Sequence, residues 1–178
     1  MQANTHTDTD ADQKLMTQAM GLAMQAADIG EVPVGALVVF DGKVIGRGYN
    51  QTISGHDPCA HAEIMALRQA AKAIGNYRLS GCELYVTLEP CTMCVGAIIH
   101  ASIQRLVYAA TEPKAGAVAS QLQLFSKTYY NHLVQVESGV MADESSAMLS
   151  HFFKQRRLSH KAKKTAVADS NFPPPISI

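Results

Sequence analysis

The 178-residue sequence has no excess of charge of either sign and no long apolar run. Its 15 Lys and Arg residues balance 15 Asp and Glu residues, so any basic surface for an acidic partner has to be local. No apolar run approaches the roughly 18–20 residues of a membrane span. The polar segment 1–13 also lacks the basic and apolar regions of a signal peptide. We therefore expect a cytoplasmic protein with no membrane partner.

Cysteine is scarce as well, with four residues in the chain: Cys59, Cys82, Cys91 and Cys94. Because disulfides are rare in the reducing cytoplasm, these side chains are expected to be free thiols or metal ligands. Cys82 follows Gly81 and precedes a predicted strand, so we interpret it as a buried thiol. Cys59 lies two residues before His61, and it is either a small loop residue or a rival metal ligand.

The length and the 47% hydrophobic content allow one domain with a sizeable core. We divide the chain into a disordered lead over 1–10, a domain over 11–165 that includes a basic C-terminal helix, and a disordered tail over 166–178. Three consecutive prolines at 173–175 favour an extended or disordered chain end. We find no internal repeat.

Hydrophobic periodicity and turn residues predict alternating helices and strands. The predicted helices cover 11–29, 61–74, 92–100 and 141–164, and the predicted strands cover 34–40, 43–49, 83–88, 104–109 and 133–136. Asp41-Gly42 is a hairpin signal between the first two strands. Strand–helix–strand units of this length imply parallel neighbours and right-handed crossovers. The sequence therefore predicts a three-layer α/β/α fold whose mixed five-stranded sheet carries an antiparallel hairpin at one side.

Two short segments supply three metal-binding side chains and one spare carboxylate. His61 and Glu63 open one predicted helix, and Cys91 and Cys94 open another directly after a strand. A closed structural zinc site uses four protein ligands, whereas a catalytic site keeps one position for water. One His and two Cys leave that position open, and Glu63 is available to move a proton of the water. The segments predict a hydrolytic metalloenzyme, and thiolates with one imidazole favour zinc.

Helix geometry restricts how these residues meet. Side chains two apart inside a helix point about 200° apart, so His61 and Glu63 share a site only if His61 lies at the frayed start of its helix. Cys91 and Cys94 share one helix face, and the positive end of the helix dipole favours their thiolates. Two helix N-termini should therefore face the same metal. A thioredoxin-type redox motif is the alternative for the CxxC, but it leaves His61 and Glu63 without a role.

The H-x-E and P-C-x-x-C segments together resemble the signature of the zinc-dependent nucleobase deaminases. Longer words are similar to the bacterial tRNA-specific adenosine deaminases: VPVGALVV, GRGYNQ, HDPCAHAEIMALRQA, NYRL, LYVTLEPCTMCVGAIIHA and FFKQRR. The resemblance covers about residues 13 to 164. It implies a cytidine-deaminase-like fold, a homodimer with one Zn²⁺ per subunit, and conversion of adenosine to inosine at the wobble position of a tRNA anticodon.

The resemblance also implies a role for each matching residue. The implied zinc ligands are His61, Cys91 and Cys94. Glu63 would take a proton from the water that attacks C6 of adenine, protonate the purine ring nitrogen and assist the loss of ammonia. Asn50 and the backbone N–H of Ala62 would contact the flipped base, since Asn suits a purine edge. Without the resemblance, a turn residue after a strand is the alternative interpretation of Asn50.

One segment departs from the family pattern. Where the family typically has Arg-Asp-Ala-Lys-Thr-Gly, residues 111–116 are TEPKAG. Glu112 thus replaces the Asp that would contact the nucleotide backbone beside the target base, one methylene longer and on a loop stiffened by Pro113. Lys114 remains a candidate phosphate contact. His132, which follows Asn131 in a polar patch, is a candidate substrate contact.

A basic and aromatic cluster near the C-terminus suits RNA. Residues 152–164 contain two aromatic and six cationic side chains and no acid: Phe152, Phe153, Lys154, Arg156, Arg157, Lys161, Lys163 and Lys164. Cations hold phosphates, and aromatic rings stack on unpaired bases. A solvated helix is the alternative from composition alone. With the resemblance, we predict that Phe153, Arg156 and Arg157 contact a tRNA anticodon stem-loop.

Two other functions share part of this pattern. A deaminase of free nucleobases or nucleosides, of guanine or cytosine type, would keep the zinc residues without needing the basic helix. A structural zinc module that only binds RNA would leave Glu63 without a role. Truncation before Lys154 separates a tRNA deaminase from a deaminase of free bases or nucleosides. Glu63→Gln separates a tRNA deaminase from a zinc module that only binds RNA.

Overall fold

Four α-helices and five strands make up most of residues 9–126 and 131–170, the part of the chain that the computed structural model describes. In chain order they are α1 Thr9–Asp28, β1 Gly35–Phe40, β2 Lys43–Tyr49, α2 Ala62–Ile74, β3 Glu83–Leu88, α3 Thr92–His100, β4 Arg105–Ala110, β5 Gln135–Ser138 and α4 Ala142–Ser170, with a 3₁₀ turn at Leu124–Ser126 before β5. The order of helices and strands agrees with the predicted one.

The five strands form one mixed sheet in the order β2-β1-β3-β4-β5. β1 runs antiparallel to β2 and β3, while β4 runs parallel to β3 and β5. The β1–β2 hairpin turns at Asp41 and Gly42, whose φ angles of 49° and 69° are the left-handed values that such a turn needs. The predicted mixed sheet with an antiparallel hairpin is confirmed.

Helices cover both faces of this sheet. Ala66 and Leu67 of α2 and Ile98 of α3 pack into one buried cluster with β1, β3 and β4. Met16 and Ala19 of α1 pack into a second cluster on the opposite face, where the chain entering α4 also lies. The central strands β1, β3 and β4 are buried from both sides, which explains their nearly continuous apolar sequences. The result is the predicted three-layer α/β/α arrangement.

Gly48 lets the first turn of α2 lie directly on β2. A Cβ atom at this position would overlap the carbonyl oxygen of Ala62 and the backbone N of Ala66. Because glycine has no side chain, the helix start and the strand approach each other closely. This packing positions His61 and Glu63 over the edge of the sheet.

Strand β5 begins two residues later than predicted, at Gln135 instead of 133. The apolar side chain of Leu133 suggested a buried strand, but Leu133 is 82% exposed. β5 is an edge strand with mostly exposed side chains, and its Glu137 pairs with Arg105 of β4. Pairing with β4 therefore decides the register of β5, and the hydropathy of the sequence did not identify where this strand begins.

The terminal helices are longer than the sequence predicts. α1 includes Thr9 and Asp10 from the predicted lead, and α4 continues through residues 166–170 of the predicted tail. Acidic residues in a first turn interact favourably with the helix dipole, which suits an α1 start at this point. No Gly or Pro interrupts α4 before its end at Ser170. The predicted disorder over 1–8 and 171–178 lies outside the described residues.

The two parallel strands β3 and β4 direct the chain toward one edge of the sheet. Leu88 of β3 pairs with Ala110 of β4 at the carboxyl ends of the two strands. The chain continues from β3 to Cys91 and from β4 to Glu112, so both segments lie at this edge, where α/β folds place their sites. Among the described helices, none is long and apolar enough for a membrane span.

Candidate active site

The side chains of His61, Cys91 and Cys94 converge at this edge. The distances from His61 Nδ1 to Cys91 Sγ and to Cys94 Sγ are both 3.6 Å, and the two sulfur atoms are 3.7 Å apart. A tetrahedral ion with Zn–S of about 2.3 Å and Zn–N of about 2.0 Å requires S···S near 3.8 Å and S···N near 3.5 Å. The three side chains therefore fit one tetrahedral zinc ion, and a fourth position is left for a water or substrate atom.

Two helix starts hold these ligands. His61 caps α2 with extended backbone angles, φ −75° and ψ 153°, and Glu63 lies in the first turn. Cys91 caps α3 in the same way, with φ −77° and ψ 174°, and Cys94 lies within the helix. The prediction that His61 lies at the frayed start of its helix is confirmed, as is the arrangement of two helix N-termini facing one site.

The two thiols favour a cation between them. A hydrogen bond from Cys94, together with one from His61, lowers the pKa of Cys91 to about 4. The resulting thiolate raises the pKa of the buried Cys94 thiol. A bound cation opposes this rise in the pKa of Cys94, because it stabilises both sulfurs as thiolates. The donor set thus suits a zinc ion.

Among the described residues, these three side chains make up the one group that fits a metal ion. Cys59 is an exposed thiol outside this group, so the structure favours the loop residue over the rival ligand. Cys82 is fully buried, and burial raises the pKa of its thiol. Both findings agree with the simpler interpretation of each residue.

Glu63 lies beside the ligand group and is 4% exposed. Burial raises the pKa of its carboxyl, and the neighbouring His61 partly opposes this change. A carboxyl whose pKa lies above its usual range takes up a proton more readily than an exposed one. Glu63 therefore has the position and the chemistry of a proton carrier.

Asn50, at the end of β2, links the hairpin to α2. Its Oδ1 accepts the N–H of Ala62 at 2.9 Å, and its Nδ2 donates to the carbonyl O of Val32 at 3.1 Å. The N–H of Ala62 is thus bonded to Asn50 in this structure, and its predicted contact with a base stays a prediction. One N–H of the Asn50 amide remains available to a bound molecule.

A cavity of about 200 Å³ lies over the ligand group. Its lining combines apolar walls with the polar groups of both flanking loops: Val32, Val34, Asn50, His61, Glu63, Leu88, Glu89, Cys91, Glu112 and Ala115. Mostly apolar walls with a few convergent polar groups are typical of a site for a small molecule. Glu112 is thus brought to the site, as the sequence predicts.

Sequence reasoning missed two buried carboxylates. Glu31 accepts hydrogen bonds from the N–H groups of Ile53 and Ser54, both at 2.7 Å, and so holds the loop after β2. Glu89 holds the loop after β4 in a similar way. Each carboxylate is almost fully buried. A charged residue at the end of an apolar strand, as in the Leu-Glu-Pro-Cys word, is the signal that would have identified Glu89.

Lys114 and His132 have different positions. Lys114 is exposed on the loop after β4, where its N–H donates to Glu112 Oε1 at 2.9 Å. His132 Nε2 lies 2.6 Å from the carbonyl O of Ile103, which precedes β4. Six strand residues of about 3.3 Å each separate that end of β4 from the site by roughly 20 Å. The structure therefore places His132 outside the cavity, and its contact with the substrate stays a prediction.

The basic and aromatic cluster lies on α4. Phe152 and Phe153 make an edge-to-face pair with ring centroids 5.6 Å apart, and Arg156 lies 6.0 Å from the Phe152 ring centre. Arg156 and Arg157 are exposed. A groove of about 540 Å³ separates this face of α4 from the end of α1 and from the loop that begins at Asn50.

Residues 10–157 match the model of the MafB19-like deaminases. A tRNA-specific adenosine deaminase of Haemophilus influenzae is 50% identical over 157 residues, which are 88% of this chain and 91% of that protein. The chain belongs to this deaminase family. Its resemblance to the bacterial tRNA-specific adenosine deaminases is confirmed.

Solved structures support the family. A structure from work on A-to-I editing by tRNA:A34 deaminases has a TM-score of 0.74 and 47% identity, and the match covers 76% of this chain and 98% of that one. A guanine deaminase from Nitrosomonas europaea has a TM-score of 0.65 and 26% identity, over 79% of this chain and 83% of that one. The cytidine-deaminase-like fold expected for the family is thereby confirmed for this deaminase.

Proposed function

We propose that this chain is a zinc-dependent hydrolase that converts adenosine to inosine at the wobble position of a tRNA anticodon. The observation that carries the proposal is the open His61, Cys91 and Cys94 site beside a buried Glu63. Relatives named tRNA-specific adenosine deaminase, at up to 50% identity among those compared, support the substrate. We propose one zinc ion per subunit.

The residues divide the reaction between them. Bound zinc would supply a Lewis acid that lowers the pKa of a water ligand. Glu63 accepts a proton from the attacking water and delivers it to the purine ring nitrogen. The water oxygen bonds to C6, the bond from C6 to the amino nitrogen breaks, and Glu63 passes the second proton to the leaving ammonia. Adenosine and water thus become inosine and ammonia.

The cavity walls orient the base. The second N–H of the Asn50 amide faces an acceptor on the purine edge, while Ala62 holds Asn50 in place. Apolar contacts from Val34 and Leu88 exclude water from the ring faces. We propose that Glu112 and Lys114 contact the nucleotide backbone beside the target.

Helix α4 supplies the RNA surface. Exposed Arg156 and Arg157 suit phosphates, and Phe153, which is 41% exposed, suits an unpaired base. An anticodon loop is already unpaired, so extruding its base costs less than flipping one from a duplex. The groove between α4 and the loop after β2 provides space for nucleotides next to the target.

We further propose a cytoplasmic homodimer. An apolar groove of about 280 Å³ lies between α2 and α3, and the nearby Tyr77 is 64% exposed. An exposed apolar patch of this kind is typical of an interaction surface. Light scattering on the purified chain tests the proposal, and the expected mass is twice that of one chain.

The second candidate function is deamination of a free purine. It is favoured by the structural similarity to a guanine deaminase. That function needs the metal site and Glu63 but gives no role to the cations of α4. The higher identity and TM-score of the tRNA:A34 deaminase structure favour the tRNA substrate.

The test compares substrates. Unmodified tRNA with adenosine at the wobble position is incubated with the enzyme, beside free adenosine, guanine and cytidine. Inosine at that single position supports the proposal, whereas turnover of a free base with tRNA untouched contradicts it.

Truncation before Lys154 should reduce tRNA activity and leave any free-base activity intact. Glu63→Gln should reduce deamination by about 10³-fold while zinc and RNA binding persist; a near-normal rate would contradict the mechanism.

A further inference from the structure

Glu89 holds the loop that follows β4 against the metal site. It is 3% exposed and lies two residues before Cys91. Its carboxylate accepts hydrogen bonds from the backbone N–H groups of Glu112, Val118, Ala119 and Ser120, all of which belong to the loop after β4.

The two carboxylate oxygens have different partners. Oε1 accepts the N–H groups of Val118 at 3.1 Å, Ala119 at 2.8 Å and Ser120 at 2.9 Å. Oε2 accepts the N–H of Glu112 at 3.0 Å and the hydroxyl of Ser120. Oε1 thus holds only the far end of the loop, whereas Oε2 holds both Ser120 and Glu112, the residue that lines the cavity.

The same loop touches the metal site through Gly116. This residue forms an antiparallel bridge with Cys91, and its N–H donates to the carbonyl O of Glu112 at 2.9 Å. A Cβ atom at Gly116 would overlap both the Glu89 carboxylate and that carbonyl oxygen. The contact between the loop and Glu89 therefore leaves no room for adjustment.

We propose that Glu89 is a positioning residue, which acts on the substrate by fixing Glu112 at the mouth of the cavity. The proposal rests on the proposed function for the identity of the substrate. It predicts that loss of the Oε2 contact weakens RNA binding more than it slows the chemical step, because the metal ligands and Glu63 stay in place.

Glu89→Gln is a selective test. The amide oxygen replaces Oε1 and keeps the three N–H groups of residues 118–120, and the amide NH₂ then faces the N–H of Glu112. The Ser120 hydroxyl can rotate to accept from that NH₂, whereas a backbone N–H cannot. The substitution therefore removes the acceptor of one loop amide, that of Glu112.

Three measurements are made on the full-length holoenzyme with a tRNA anticodon stem-loop that carries adenosine at the wobble position. KM should rise about tenfold while kcat changes less than about threefold. Zinc content should stay at the wild-type level. Hydrogen exchange should become faster at the Glu112 amide and remain slow at residues 118–120.

A second variant covers the case in which Glu89→Gln does not fold. Gly116→Ala pushes the loop away from Glu89 without changing any charge, and the same rise in KM is expected. Gly96→Ala is the matched control, because a Cβ atom at this position in α3 meets nothing within 4 Å. The control should keep the wild-type KM.

The outcomes are distinct. A wild-type KM and unchanged Glu112 exchange in Glu89→Gln and Gly116→Ala would overturn the proposal. Loss of zinc with a fall in kcat at constant KM would also overturn it, since Glu89 would then support the metal site alone. If wild-type enzyme leaves the stem-loop unmodified, the proposed function has failed, and exchange at the Glu112 amide still decides the role of Glu89.

Discussion

Asn50 Oδ1 accepts the backbone N–H of Ala62 at 2.9 Å, which joins the end of the β1–β2 hairpin to the start of α2. The other end of the same amide donates to the carbonyl O of Val32 at 3.1 Å. One side chain thus binds two elements of the cavity wall and still presents a free N–H. The residue predicted to bind substrate is also part of the framework that shapes the site.

Asn50→Asp should therefore affect stability and activity together. The carboxylate can still accept from Ala62, but it faces the Val32 carbonyl with an oxygen where a donor is needed. We expect a loss of about 2 kcal/mol in the free energy of unfolding and a fall of at least about tenfold in kcat/KM. Urea unfolding and tRNA deamination assays check both. Asn76→Asp, at an exposed turn, is the control and should be nearly neutral.

Removal of the Glu63 carboxylate should stabilise the metal-free protein. Burial raises the pKa of Glu63, so the folded state holds the ionised form less well than the unfolded state does at pH 7. Glu63→Gln should therefore raise the Tm of the metal-free chain at pH 7 but not at pH 3, where the carboxyl is protonated in both states. Each 1 kcal/mol corresponds to about 2–4 °C at this chain length. A Tm that rises equally for the exposed Glu144→Gln would contradict this explanation.

Metal removal should abolish activity reversibly. A chelator should strip one zinc ion per chain, and added zinc should restore deamination. Zinc affinity should weaken as the pH falls, because protons compete for the two thiolates and the imidazole. Cys91→Ser should lose zinc, measured by elemental analysis, whereas Cys59→Ser should keep it. Zinc loss in Cys59→Ser would show that Cys59 is a ligand after all.

The ion network at the opposite end of the sheet should govern acid stability. Arg105 pairs with Asp12 and Glu83, both at 2.6 Å. Burial acts to raise the pKa of Asp12, but hydrogen bonds from Arg105 and Tyr85 outweigh it and hold the pKa below its usual range. The stabilisation from Asp12 is thus present above its unfolded pKa of about 3.9 and is lost as the pH falls through the folded value.

Arg105→Met would leave Asp12 buried without a cation. We expect a loss of about 3 kcal/mol at pH 7, measured by urea unfolding, and a much smaller loss at pH 2. Arg68→Met is the matched control, since its ion pair with Asp57 is largely exposed and should contribute less than about 1 kcal/mol. An equal loss at both pH values would show that Arg105 acts through packing and not through its charge.

The grouping of His61, Cys91 and Cys94 at two helix starts could be predicted because it depends on local geometry. A His that precedes a helix and a CxxC that opens one need only short-range geometry, and the structure confirms both helix starts. The Asp41-Gly42 turn is equally local. In contrast, β5 was displaced in the prediction because Leu133 is apolar but exposed. An edge strand obtains its register by pairing with its neighbour, and the hydropathy pattern of the sequence does not reveal that pairing.

The sequence by itself determined the donor set, the order of elements and the family, since each depends on residue type and on spacing along the chain. Only the tertiary structure decided which residues meet. It brought His61 to within 3.6 Å of Cys91, thirty residues away, and it separated His132 from the site. It also gave Glu89 its partners in the loop after β4. Such contacts depend on the packing of distant segments, where small residues such as Gly48 permit a close approach that no local pattern predicts.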